Sequence, residues 1–187
     1  MISNAIINGT GAGQPLGILV APGTLSITKE TGQPATTIVS ENIDKMWARM
    51  LTRAKRNAVW LVSQDCEPQL ANLNRSVGTG GALVYNPPGG ISQLPYGTLK
   101  GRPVRETEFN PTLGAVGDII LADLGYYATG TRGSVMADSS IHLRFDYAET
   151  AFRFMFEVDG QPWLQSAITP FNAGNTQAPF LTLAVRS

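Results

Sequence analysis

The chain has 187 residues, 43% of them hydrophobic, and its 14 basic and 14 acidic side chains give a formal net charge of zero. That length suits one sizeable domain with its own core, although a charged content of 15% is low for a solitary globular protein. Neutrality argues against a dedicated nucleic-acid reader, which carries a basic face. It also leaves little self-repulsion to hold copies apart.

A single cysteine, Cys66, allows no intramolecular disulfide, so there is no secretory framework to read. No apolar run approaches the ~20 residues needed to span a bilayer. Met1–Asn8 lacks the charged start and long apolar core of a signal peptide. The triplets at Asn8 and Asn74 match a glycosylation sequon, a pattern common by chance. A reducing cytoplasm is the expected compartment of synthesis.

In chain order, a glycine-rich turn through Gly9, Gly11 and Gly13 runs into the apolar stretch Leu16–Leu19, and a short strand fits Leu25–Thr28. A helix is expected from Ser40 to Arg56. Ile43, Met46, Trp47, Met50, Leu51 and Ala54 form one stripe at helical spacing. Glu41 and Asp44 near its start, with Arg53, Lys55 and Arg56 at its end, match the helix dipole, and Ser40 is the expected N-cap.

Ala58–Val62 reads as a strand buried on both faces. Glu67–Leu73 reads as a second helix, with Pro68 tolerated in its first turn. A small strand at Ala82–Tyr85 is bracketed by loops at Gly78–Gly81 and Asn86–Gly90, and further strands fit Pro103–Thr107 and Ile119–Ala122. Then the period becomes two. Ile141, Leu143, Phe145 and Tyr147 alternate with polar residues, as do Phe152, Phe154, Phe156 and Val158, which predicts two half-buried strands. Asp159–Pro162 reads as a turn into a strand at Trp163–Ile168, and Phe180–Val185 as the last strand. The fold class is α+β, with few helices, many short strands and no internal repeat.

No enzyme signature emerges. The glycines at 9, 11 and 13 lack both the third glycine of a dinucleotide fingerprint and the Gly-Lys-Ser/Thr ending of a P-loop. Gln14-Pro15 follows them, so no helix N-terminus is available to hold a phosphate. His142 is the lone histidine, at an outward strand position, which removes most triads and zinc sites. Cys66 precedes a helix start but reads as a buried or half-buried structural thiol.

The acids Asp118, Asp123, Asp138, Asp146, Glu149, Glu157 and Asp159 match no ligand spacing and read as turn and strand-edge residues. The cations Arg49, Arg53, Lys55 and Arg56 read as a solvated helix face, with a phosphate-binding patch as the alternative. No catalytic, cofactor-binding or metal-binding residue is assigned, and no cofactor.

Five segments, in order, resemble the major capsid proteins of tailed bacteriophages, which share the Hong Kong phage capsid fold. These are Gly9–Leu19, with its "P-L-G-I-L" ending; the helix from Ser40 and the strand carrying Trp60; and Leu99–Val104, with its "L-x-G-x-P-V" wording. Gly117–Leu124 through Tyr127 to Arg132-Gly133 is the fourth, and Phe152-Arg153 with Asp159-Gly160 the fifth. Asp65–Pro68 departs from the family's wording, and Thr150–Phe171 is unusually aromatic.

The resemblance implies an axial domain at residues 23–148, a peripheral-domain remnant at 1–22 and peripheral return strands at 149–187. The family's N-terminal arm, extended loop and spine helix are missing, so the chain is expected to be the C-terminal half of a longer protein. The implied function is a structural subunit of a phage or prophage icosahedral capsid, assembling around double-stranded DNA. Its implied location is the virion, and the host bacterial cytoplasm during assembly.

Its implied partners are copies of itself in pentamers and hexamers, scaffold and portal proteins, and DNA held without sequence preference; no membrane is expected. The loops Val77–Gly81, Asn86–Gly90 and Phe109–Gly117, and the aromatics Tyr126, Tyr127 and Trp163, are the candidate interface residues, with core packing an equal reading for the aromatics. Two alternatives stand: the shell of a protein nanocompartment enclosing cargo enzyme, and an unrelated α+β enzyme or ligand-binding domain.

Overall fold

A computed structural model describes residues 2–77, 80–83, 85–86 and 97–187, the segments 74–77, 80–83 and 85–86 by backbone alone. Of the expected loops at 78–81 and 86–90, Gly80, Gly81 and Asn86 are strand residues, and the rest lie outside the described residues. Among these residues the chain is built on a seven-stranded mixed sheet. Its strands are β1 (Leu25–Ile27), β2 (Val59–Val62), β5 (Tyr85–Asn86), β6 (Thr98–Leu99), β7 (Arg102–Glu106), β8 (Ile119–Ala122) and β11 (Phe180–Leu183). They lie in the order β1-β11-β8-β2-β7-β6-β5. The middle of the sheet is the apolar run of β2, held parallel to β7 and antiparallel to β8. A separate hairpin joins β3 (Asn74–Val77) to β4 (Gly80–Leu83).

Alternation along the central strands gives the sheet two packed faces. One face presents Trp60, Val62, Leu121 and Leu181 to α2 (Ser40–Arg49) and α3 (Glu67–Ala71). The other presents Ile120, Ala122 and Phe180 to α1 (Ile2–Asn8) and Ile18. Fully burying side chains of this size stabilises by about 1.5–3 kcal/mol each. Trp60 also donates its indole N–H to the Leu99 carbonyl at 2.9 Å, so its one polar atom is not stranded.

Several expectations change. The main helix starts at Ser40, but its cap is Val39, whose N–H is taken by Asn42 Oδ1 at 3.2 Å. It ends at Arg49, not Arg56. Met50 turns to extended backbone and bridges Ala178, and Leu51 N–H donates to Ala178 at 3.0 Å. A short 3₁₀ turn at Ala54–Arg56 carries the end of the apolar stripe. Helix α1 was not expected, because its seven residues are too few to show a period.

The larger change is in the second half. β9 (Tyr127–Arg144) and β10 (Glu149–Pro162) form one long antiparallel hairpin, turned by a 3₁₀ segment at Phe145–Tyr147 and a left-handed Ala148. Phe145 and Tyr147 thus form the tip of the hairpin and are not strand residues. The expected turn at Asp159–Pro162 is strand: Gly160 pairs with Thr129 and Pro162 with Tyr127. Gly160 serves close approach, since a Cβ there would stand 2.7 Å from the Tyr127 ring. Trp163–Ile168 is irregular apart from a bridge between Ile168 and Gln177.

The division expected at 148/149 falls at the hairpin tip, between strands that pair with each other, while β11 lies inside the central sheet between β1 and β8. Hydrogen bonding therefore links segments on both sides of that division.

Candidate assembly surface

Partnered residues on an antiparallel hairpin share a face. Phe152 pairs with Ser139 and Phe154 with Ala137, which puts both rings on one side; the register shifts on either flank, where Ile141, Leu143, Val135 and Phe156 stand. Arg153 pairs with Asp138 and Met155 with Met136 on the other, with Arg132, Arg144, Glu149 and Glu157. The second side is held by cross-strand ion pairs: Arg153–Asp138 at 2.8 Å, Arg144–Glu149 at 3.4 Å and Arg132–Glu157 at 3.5 Å. Such exposed pairs stabilise by ~0–1 kcal/mol each.

The first side is apolar and uncovered. Phe152, Phe154 and Leu143 are 69%, 70% and 76% exposed, against the half-burial that their alternation predicts. Val135, Ile141 and Phe156 are also exposed beside them. The alternation sets out an apolar face, but that face is exposed, and no described part of the chain covers it. β9 and β10 also form a two-stranded sheet, so each has one edge without a ladder partner among the described residues. At ~3.3 Å per residue the eighteen residues of β9 extend about 55 Å. A row of large uncovered apolar side chains such as Phe152, Phe154, Ile141 and Leu143 marks an interaction surface in a folded protein.

The individually expected interface residues divide. Trp163 is 72% exposed. Tyr127 is core: it packs with Ile18 and Phe180 and donates its hydroxyl to the Leu16 carbonyl at 2.9 Å. Burial raises its pKa, with the Asp159 charge adding to the effect. Tyr126 is partly buried against both core clusters. The 109–117 loop is tied inward by Asn110, whose amide donates to the carbonyls of Leu61 at 3.1 Å and Gly117 at 2.9 Å.

The residues weighed for chemistry are also placed. His142 is exposed on β9. Cys66 is fully buried, its thiol aimed at the Asp118 carbonyl at 3.6 Å, and burial chiefly raises its pKa to about 12. Asp123 accepts from Gly125 N–H at 3.0 Å, and Asp159 from Gly160 N–H at 2.8 Å, so both shape turns or strand backbone. Asp118 is wholly buried and is paired with Arg186, which the sequence reading did not single out. Asp146 is exposed beside the hairpin tip.

Among the described residues no group of three or more His, Cys, Asp or Glu converges. No described helix is long and apolar enough to cross a membrane. The glycine-rich turn closes by a bridge between Thr10 and Leu16, and the backbone after it meets α1 where Ile18 N–H donates to the Ile6 carbonyl at 2.8 Å.

No curated protein matches the sequence. Two solved structures align over 100% of the chain at 15% identity. They are the capsid of a native GTA particle, at TM-score 0.70, and the capsid of an empty GTA particle, at 0.65, both computed with C5 symmetry. The chain spans 61% of the length of each, and at this identity the likeness is one of fold. The fold is therefore a partial capsid-like one. The family model described as the phage capsid family matches residues 2–173, and the chain belongs to that family.

Proposed function

We propose that this chain forms part of a major capsid subunit that self-assembles into an icosahedral shell around double-stranded DNA. The uncovered apolar side of the β9–β10 hairpin carries the proposal, with family membership behind it. A monomer exposing Phe152, Phe154, Phe156, Ile141 and Leu143 is unstable towards association, and repeated identical contacts close into a shell when the symmetry closes. The protein's work is structural.

In this reading the intact subunit forms pentamers and hexamers and meets scaffold and portal proteins. It holds DNA without sequence preference, and resides in the virion after assembly in the host cytoplasm. Negative-stain electron microscopy with light scattering, on protein expressed from the complete reading frame, tests it. Uniform shells or five- and six-membered rings are expected. A monomer that persists across concentration and salt overturns the proposal.

A further inference from the structure

The parallel pair β2–β7 is charge-polarised. At its N-terminal end Arg53, Lys55 and Arg56 fall within four residues, and the Arg102 guanidinium donates to the Arg56 carbonyl beside them. Lys55 Nζ stands 5.3 Å from the centroid of the Trp47 ring, which keeps that side chain on the same corner. Among the described residues no acid pairs with any of these four cations; Asp44, the nearby carboxylate, is bound to Lys100.

At the C-terminal end the sign reverses. Glu106 closes β7 in register with Val62, Thr107 N–H donates to the Val62 carbonyl at 2.9 Å, and Asp65 and Glu108 follow, all three acids exposed. Glu106 and Glu108 edge an open groove of about 570 Å³ floored by Ile6, Ile7, Leu61 and Phe109. Arg105 is the cation nearest these acids in sequence, and it makes an interaction of its own.

The five residues of β7 separate the two ends by about 13 Å. That exceeds the Debye length of ~8 Å at physiological salt, so the ends do not neutralise each other within one subunit. An overall charge of zero thus hides one surplus of each sign at opposite ends of the same strands.

We propose that the cationic end of β2–β7 in one copy seats on the acidic, apolar-floored end in the next, as a head-to-tail contact between subunits. The contact rests on the assembly reading above and names one of its interfaces. A nucleic acid would account for the cations and leave the acidic groove unexplained; a second copy accounts for both. Such a heterologous contact generates a ring when its rotation closes. Lys and Arg suit it chemically, since their apolar stems cover the groove floor while their heads reach Glu106 and Glu108. Complementary charge fixes the register and rejects the like-to-like arrangement.

The test reverses each end separately and then mixes them. Arg53→Glu/Arg56→Glu and Glu106→Arg/Glu108→Arg, each checked for folding by circular dichroism, are expected to need at least ten-fold more protein than wild type to assemble. An equimolar mixture restores the complementary pairing at every contact of a six-membered ring, where the two chains alternate, and is expected to recover six-membered rings at the wild-type concentration, with both chains in equal amounts. The milder Arg53→Gln/Arg56→Gln and Glu106→Gln/Glu108→Gln variants substitute for any reversal that fails to fold, and are expected to show a several-fold increase.

Assembly of either reversal at the wild-type concentration overturns this contact. So does a mixture of folded variants that fails to recover, or a pair of glutamine variants that assemble as wild type. Loss of DNA retention with unchanged assembly in Arg53→Glu/Arg56→Glu overturns it in favour of nucleic acid. Wild type that forms no shells overturns the assembly reading itself, a result distinct from shells that tolerate both reversals.

Discussion

Arg186, the penultimate residue, lies wholly buried with its guanidinium on the Asp118 carboxylate, across 68 positions of sequence. Its Nε also donates to the Thr37 carbonyl at 2.8 Å and its backbone N–H to Gly114 at 2.9 Å. Asp118 in turn accepts from Gly114 N–H at 2.9 Å and Ile119 N–H at 2.8 Å. The pair therefore staples the end of the chain, the segment before α2 and the loop leading to β8. A buried pair satisfied in this way is costly to break from one side, because the remaining charge has no water.

Arg186→Met is accordingly expected to destabilise the fold by about 3–5 kcal/mol. Asp118→Asn/Arg186→Met is expected to recover part of that loss, because no buried charge is left unpaired. Chemical denaturation of the two variants beside wild type reads the difference. A double variant no more stable than Arg186→Met would contradict the account.

The thiol of Cys66 gives a pH signature. Its ordinary pKa of 9.0 rises to about 12 in the folded chain, chiefly through burial, with the Asp118 charge acting in the same direction. A raised thiol pKa contributes stability that is fully present below the unfolded value of 9.0 and is lost as pH climbs towards 12. Over that window the unfolded chain loses its thiol proton first, so stability falls, by at most about 1.4 kcal/mol per pH unit from this group. Native protein at pH 8 is expected to resist a thiol-specific reagent, and protein unfolded in urea to react at once. Comparing wild type with Cys66→Ala between pH 8 and 10 isolates the group's share of the slope.

Two glycines of the N-terminal turn are required by proximity. A Cβ at Gly9 would collide with the carbonyl oxygens of Pro15 and Ala5, and one at Gly17 would stand 2.6 Å from the Ile7 carbonyl oxygen. Gly9→Ala and Gly17→Ala are each expected to cost about 1–3 kcal/mol, in the range of overpacked sites. Gly13→Ala meets no atom within 4 Å and suffers only from its left-handed backbone, with φ of 68°. It is expected to cost less, about 1–2 kcal/mol. Thermal unfolding of the three variants ranks them; Gly13→Ala as the most damaging would contradict the packing.

Much of the sheet was legible because its strands are short unbroken apolar runs. β8 at Ile119–Ala122 matches the expected boundaries, and β2 and β11 differ at their ends by one and two residues. The α2 stripe was legible too, but not its end, because a bridge from Met50 to Ala178 takes over where the period continues. Strand order was not legible, since pairing β1 parallel to β11 joins residues more than 150 apart. Arg186 near a chain end reads as a surface residue, and only the fold brings Asp118 to it. In the hairpin, alternation at Phe152, Phe154 and Phe156 announces a face to be buried but carries no information about which surface buries it.

That face is the central claim, and replacing it tests the claim most directly. Phe152→Ser/Phe154→Ser removes two exposed rings that contact no core cluster, so the folded monomer is expected to keep its stability within about 0.5 kcal/mol. Buried aromatic anchors of an interface contribute about 2 kcal/mol or more each, so electron microscopy of the double variant is expected to show no shells where wild type shows them. Shells of normal size and number from the folded double variant would contradict the account.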